Sequence, residues 1–63
     1  MVRAYELINK IGVSVTTTPK SYLGKIYVCD GIWNYKCDED VHENDSIKVS
    51  SILSFGLLKV EKI

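Results

Sequence analysis

Two runs of β-branched and aromatic residues, separated by Asp30 and Gly31, constrain this chain more than anything else in it. Lys25, Ile26, Tyr27 and Val28 precede the pair, and Ile32, Trp33, Asn34 and Tyr35 follow it. Asp-Gly between such runs signals a β-hairpin, because a type I′ turn needs positive φ at both central positions. A two-residue turn at Asp30-Gly31 fixes the register. It sets Cys29 opposite Ile32, Val28 opposite Trp33, Ile26 opposite Tyr35 and Gly24 opposite Cys37. Opposed residues share a face of a sheet. Ile26, Val28, Trp33, Tyr35 and Cys37 then form the core side. Lys25, Tyr27, Cys29, Ile32, Asn34 and Lys36 form a mostly polar outer side.

Sixty-three residues make one small domain, and a chain of that size buries only about 60% of its unfolded surface. The apolar fraction of 46% argues against disorder. Eight basic and eight acidic side chains cancel, so the basic excess of a nucleic-acid binder is missing. No apolar run approaches the ~18 residues of a membrane span. Met1, Val2 and Arg3 are followed by no apolar stretch of the signal-peptide kind. The expectation is a soluble protein or a soluble piece of a longer one.

In the hairpin register, Cys29 and Cys37 lie roughly 17 Å apart and point to opposite faces. A disulfide needs Cα atoms within about 7 Å, so both thiols are expected free, as in a reducing compartment. With no CxxC and a single histidine, His42, no metal site is expected.

Residues 4–8 form a helical turn or a frayed lead-in, and the domain proper is placed at 8–63 after a flexible 1–7. Asn9 tolerates positive φ and suits a tight turn before the first strand. Ile11, Gly12, Val13, Ser14, Val15 and Thr16 alternate; the apolar set Ile11, Val13 and Val15 is read as inward. Residues 17–23 hold the only proline, Pro19, and form a loop. Its Tyr22 and Leu23 are expected to fold over one barrel end. Asp38, Glu39 and Asp40 make an acidic turn; Asn44 and Asp45 make another. Ile47 and Val49 face inward on a fourth strand. The apolar signal runs on irregularly through Ile52, Leu53 and Phe55, so a bulge is expected. Gly56 turns the chain into a last strand with Leu58 and Val60 inward.

Five short strands without a long helix point to an all-β fold, a small barrel of OB (five-stranded Greek-key) or SH3-like type. The long first connection and the two later hairpins favour OB.

These residues also resemble a known family. Ile11-Gly12-Val13-Ser14-Val15-Thr16, then Pro19, then Gly24-Lys25-Ile26-Tyr27-Val28 and Asp30-Gly31-Ile32-Trp33 resemble the C-terminal soluble domain of the NfeD family. Residues 41–49 and the closing Gly56-Leu57-Leu58-Lys59-Val60-Glu61 continue the likeness, which spans about residues 7–63. Asn9 and Asn44 stand where that family often has glycine, Cys37 stands where a small residue is common, and the 17–23 loop is slightly longer. The resemblance implies a five-stranded OB barrel at the end of a membrane-anchored protein. It also implies partners of the stomatin and flotillin type, in membrane organisation or quality control. A tether outside this stretch would hold the domain in a reducing compartment on the cytoplasmic side.

Several features invite sharper readings. Trp33 and Tyr35 could stack on single-stranded nucleic acid, but alternation assigns them to the core. Tyr27, with Lys25, Asn34 and Lys36 on the outer face and Tyr22 in the nearby loop, is the candidate interaction face. The acidic residues 38–45 lack the spacing of a calcium loop. His42 has no positioned nucleophile, Cys29 has no basic cluster to activate it, and Ser14, Ser50 and Ser51 lack an activating histidine. The chain is read as a non-enzyme without cofactors: a protein-interaction module. A single-stranded nucleic-acid binder is the alternative, and a small enzyme is the weakest reading.

Overall fold

The computed structural model describes residues 3–63; Met1 and Val2, and what was expected of them, lie outside the described residues. Five strands follow a short 3-10 turn at Ala4–Leu7: β1 Ile11–Ser14, β2 Gly24–Val28, β3 Gly31–Lys36, β4 Ser46–Ser54 and β5 Leu57–Lys62. They close into a barrel in the order β1-β2-β3-β5-β4, with β4 returning to pair with β1. Neighbours run antiparallel except β3 and β5, which are parallel. This is a five-stranded OB barrel, and closure pairs strand edges that would otherwise recruit other chains.

The core consists of Leu7, Ile26, Val28, Tyr35, Cys37, Val41, Ile47, Val49, Leu58 and Val60, with Trp33 packed against it and partly buried. Leu7 is fully buried, so the core begins one residue before the boundary placed at residue 8. Asn9 and Asn44 both take positive φ, 71° and 74°, as their amide side chains allow. The expected irregularity in β4 is present as register shifts between Val49 and Ser51 and between Ile52 and Ser54.

The first hairpin differs from its expected register by one step of the turn. Cys29 and Asp30, at φ 49° and 63°, are the two central residues. Val28 therefore pairs with Gly31, Ile26 with Trp33 and Gly24 with Tyr35. Moving the turn by one residue keeps every side chain on its expected face, because each cross-strand partner moves by two. Packing accounts for the choice. Gly24 lies against the Tyr35 ring so closely that a Cβ there would sit 2.6 Å from Cζ and collide with Thr18 Oγ1. A glycine opposite Tyr35 lets the ring pack against the β2 backbone.

β1 is inverted relative to its hydrophobic pattern. Gly12 and Ser14 point inward and are buried, while Ile11, Val13 and Val15 are exposed. At Gly12 the strands cross so tightly that a Cβ would meet the Tyr27 carbonyl oxygen at 2.5 Å and Val28 Cβ at 2.8 Å. Only the glycine side of β1 fits against the interior. Ser14 makes the second inward position tolerable through hydrogen bonds. Its Oγ donates to the Thr16 carbonyl at 2.6 Å and lies 2.9 Å from the Tyr35 hydroxyl. The Tyr35 hydroxyl in turn donates to Thr18 Oγ1 at 3.0 Å, which lies 2.8 Å from Thr16 Oγ1. No buried side-chain polar atom among the described residues is left without a partner, as burial of polar groups requires.

The loop after β1 also differs from expectation. Tyr22 and Leu23 are exposed and do not cover a barrel end. Thr18 does that instead: it is buried and forms an isolated antiparallel bridge with Val41.

Candidate interaction face

The outer side of β1, β2 and β3 collects most of the residues singled out from the sequence. Lys25 pairs with Asn34 across the hairpin, and its Nζ donates to Asn34 Oδ1 at 3.1 Å. Tyr27 stands opposite Ile32, not beside Asn34. Its hydroxyl donates to Asp30 Oδ1 at 3.2 Å. That bond, followed by the charge of the Asp30 carboxylate, raises the Tyr27 pKa above its ordinary 10.0. Lys36 is exposed near the end of β3. Tyr22 lies in the loop next to Ser21, whose backbone N–H donates to the Cys37 carbonyl.

Inversion of β1 changes the character of this face. Val13 pairs with Tyr27 on one side and Ser46 on the other, and Tyr27 pairs with Ile32. Opposed residues share a face, so Val13, Tyr27 and Ile32 form one outward row, with Ile11 one step along β1. Their exposures are 40%, 48%, 60% and 61%. Isolated exposed apolar residues are ordinary; these four lie together on one face of the sheet. Lys25 borders this row on β2, and Lys48, paired with Ile11, borders it on β4. Sequence reasoning placed Ile11, Val13 and Val15 in the core and so missed them here. The signal that points to them is Gly12, since glycine inside a strand marks a close backbone approach.

Other candidates stay apart from this face. His42 is exposed and its Nδ1 lies 3.9 Å from Asp45 Oδ2. Asp38 pairs with Lys59 at 3.4 Å, and Asp40 accepts the Lys20 backbone N–H. Among the described residues, no three His, Cys, Asp or Glu side chains converge as metal ligands would. Cys29 is exposed in the turn, Cys37 is buried, and both are free thiols. Ser50 Oγ donates to the Lys59 carbonyl. Among the described residues no helix is long and apolar enough to cross a membrane.

The fold defines a class: a small five-stranded OB-barrel domain. The particular likenesses are to two solved domains. One is the C-terminal domain of a stomatin operon partner protein from Pyrococcus horikoshii. It is 18% identical, with a TM-score of 0.82 over 100% of this chain and 97% of that one. The other is the soluble domain of a membrane protein implicated in regulation of membrane protease activity from Corynebacterium glutamicum. It is 15% identical, with a TM-score of 0.79 over 92% and 94% of the two chains. No protein-family model matches the chain, and no curated protein matches it. The structural likeness falls on the type of domain that the sequence resembles, and at these identities it establishes the shared fold.

Proposed function

We propose that this chain is a non-catalytic protein-interaction module of a membrane-associated protein, docking a stomatin- or flotillin-type partner through the outer face of β1–β3. The observation that carries this reading is the row Val13, Tyr27 and Ile32, with Ile11 beside it, held outward on a closed barrel. A rigid apolar strip centred on a tyrosine is the composition that protein partners use as an anchor. Lys25 and Asn34 form its polar border, with Lys36 and Tyr22 further along toward Cys37. The names of the two similar domains, one from a stomatin operon and one from a membrane protein, support the partner class and the membrane setting. Segments outside this chain would supply the tether. Free thiols at Cys29 and Cys37 support a reducing, cytoplasmic side.

The non-catalytic part rests on side-chain engagement. Ser14 is held by Thr16 and Tyr35 inside the barrel, and His42 sits at the surface with its Nδ1 3.9 Å from Asp45 Oδ2. Nucleic-acid binding is the weaker reading, because Tyr35 is core, Trp33 packs against it, and the outer row is aliphatic on either side of Tyr27.

The test is a titration of the isotopically labelled chain with a purified stomatin-type protein. Amide shifts are expected at Val13, Tyr27 and Ile32, and Tyr27→Ala should weaken binding roughly tenfold or more. Absence of binding, or shifts confined to another face, would refute the proposal. A labelled oligonucleotide at low salt should show no affinity that Tyr27→Ala abolishes.

A further inference from the structure

The turn that joins β2 to β3 carries residues that a turn of this shape seldom takes. Val28 pairs with Gly31, so Cys29 and Asp30 are its central residues, at φ 49° and 63°. Two positive φ values in a two-residue turn favour Asn-Gly or Gly-Gly, because glycine alone enters the left-handed region without strain at Cβ. Gly31 stands one position too late to serve. Packing of Gly24 against the Tyr35 ring sets where the chain turns, but it does not ask for a carboxylate there. Asp30 is nevertheless the one acidic residue between Glu6 and Asp38.

The carboxylate is engaged by a residue of the candidate face. Asp30 Oδ1 accepts from the Tyr27 hydroxyl at 3.2 Å. Among the described residues Asp30 makes no ion pair, and Lys25, the cation two residues before Tyr27, turns its Nζ to Asn34 Oδ1. Tyr27 is the middle of the outward row, between Val13 and Ile32. Those two are β-branched and stiff at χ1. Tyr27 is longer and 48% exposed, so without a partner at its tip it would exchange between rotamers. A hydrogen bond from the phenol to the turn holds it in one. An anchor already held in its bound pose loses less freedom on docking. Given docking through the β1–β3 face, we infer that Asp30 is a positioning residue: from the β2–β3 turn its carboxylate holds the Tyr27 phenol in the orientation that a partner protein meets. The left-handed backbone of a non-glycine residue at position 30 is the strain that this placement entails.

Fold stability and affinity separate this role from a structural one, because Asp30→Gly moves them apart. Glycine relaxes the turn and releases Tyr27. In Asp30→Gly the thermal midpoint should stay level or rise, and the Tyr27 Hα–Hβ couplings should average over rotamers. Affinity for a purified stomatin-type protein should fall roughly fivefold. Asp30→Asn keeps an acceptor oxygen and should restore most of that affinity. Cys29→Gly relaxes the same turn without touching Asp30 and should bind as the wild type does. In a Tyr27→Phe background, with no hydroxyl to hold, Asp30→Gly should lower affinity no further. Asp30→Gly that binds like the wild type, while Tyr27→Ala still weakens binding, overturns the positioning role and leaves the docking reading standing. An equal loss in the Tyr27→Phe background overturns it as well, since Asp30 then meets the partner itself. So does a fall in thermal midpoint alongside the loss of affinity, which would make Asp30 a support of the fold. A wild-type chain that binds no stomatin-type protein overturns the docking reading and the positioning role together.

Discussion

β1 and the first half of β4 are neighbours in the barrel, and their letters follow almost the same pattern. β1 reads Ile-Gly-Val-Ser and β4 opens Ser-Ile-Lys-Val-Ser. In β4 the branched residues Ile47 and Val49 are fully buried; in β1 Ile11 and Val13 are exposed. The two strands meet where Gly12 pairs with Ile47, and both of these residues point inward. The space beside Gly12 is taken by β2, whose Val28 Cβ and Ile26 Cδ1 would lie 2.8 and 3.0 Å from a Cβ there. Alternation thus identifies the two faces of a strand, but the space inside the barrel decides which face turns in. The face that turns out at β1 then becomes the apolar part of the proposed binding surface.

The harshest way to break this comparison is to put a side chain where β1 has none. Gly12→Val drives a Cβ against the Tyr27 backbone and Val28. Overpacking costs typically 1–3 kcal/mol and sometimes more, roughly what a domain of this size has to spare. The variant should be largely unfolded at room temperature by circular dichroism. Next in size is the other half of the pair. Ile47→Ala should lower stability by about 2–5 kcal/mol in urea unfolding, and the loss should fall toward the upper end because glycine opposite cannot fill the cavity.

A smaller effect is expected at the buried hydroxyls that let Ser14 turn inward. Tyr35→Phe removes the group shared by Ser14 and Thr18. Each of those retains another partner, at Thr16, so the cost should be about 1 kcal/mol with the fold intact. The smallest effect lies on the outer face. Asp30→Asn removes the carboxylate that raises the Tyr27 pKa, so the phenol should titrate nearer 10.0 in an NMR pH series. A raised folded pKa means that the bond's contribution is present below the ordinary tyrosine value. It is lost as pH climbs through the folded value, so the contribution is full at neutral pH.

Much of the architecture was legible because the core strands obey simple rules. Ile26, Val28, Tyr35, Ile47, Val49, Leu58 and Val60 all occupy their expected inward positions. The barrel type followed from strand number and loop lengths, and is the one observed. What escaped the sequence came from contacts between strands. Gly24 under the Tyr35 ring set the hairpin turn at Cys29-Asp30, one residue early. Gly12 reversed β1. Thr18, joined to the Tyr35 hydroxyl and to Val41, took the covering role expected of Tyr22 and Leu23. On the candidate face, Lys25, Tyr27 and Asn34 could be read from alternation alone. Their aliphatic neighbours could not, since a valine on a strand reads as core until the opposite side is known to be tighter.

The most direct measurement is the stability of Val13→Asp by urea denaturation. If Val13 faces outward beside Tyr27, the expected loss is no more than about 1 kcal/mol, the range of strand propensity at an exposed site. A chain that no longer folds would place Val13 in the core, where an unpaired carboxylate is not tolerated, and would contradict the inverted β1 and the proposed binding face built on it.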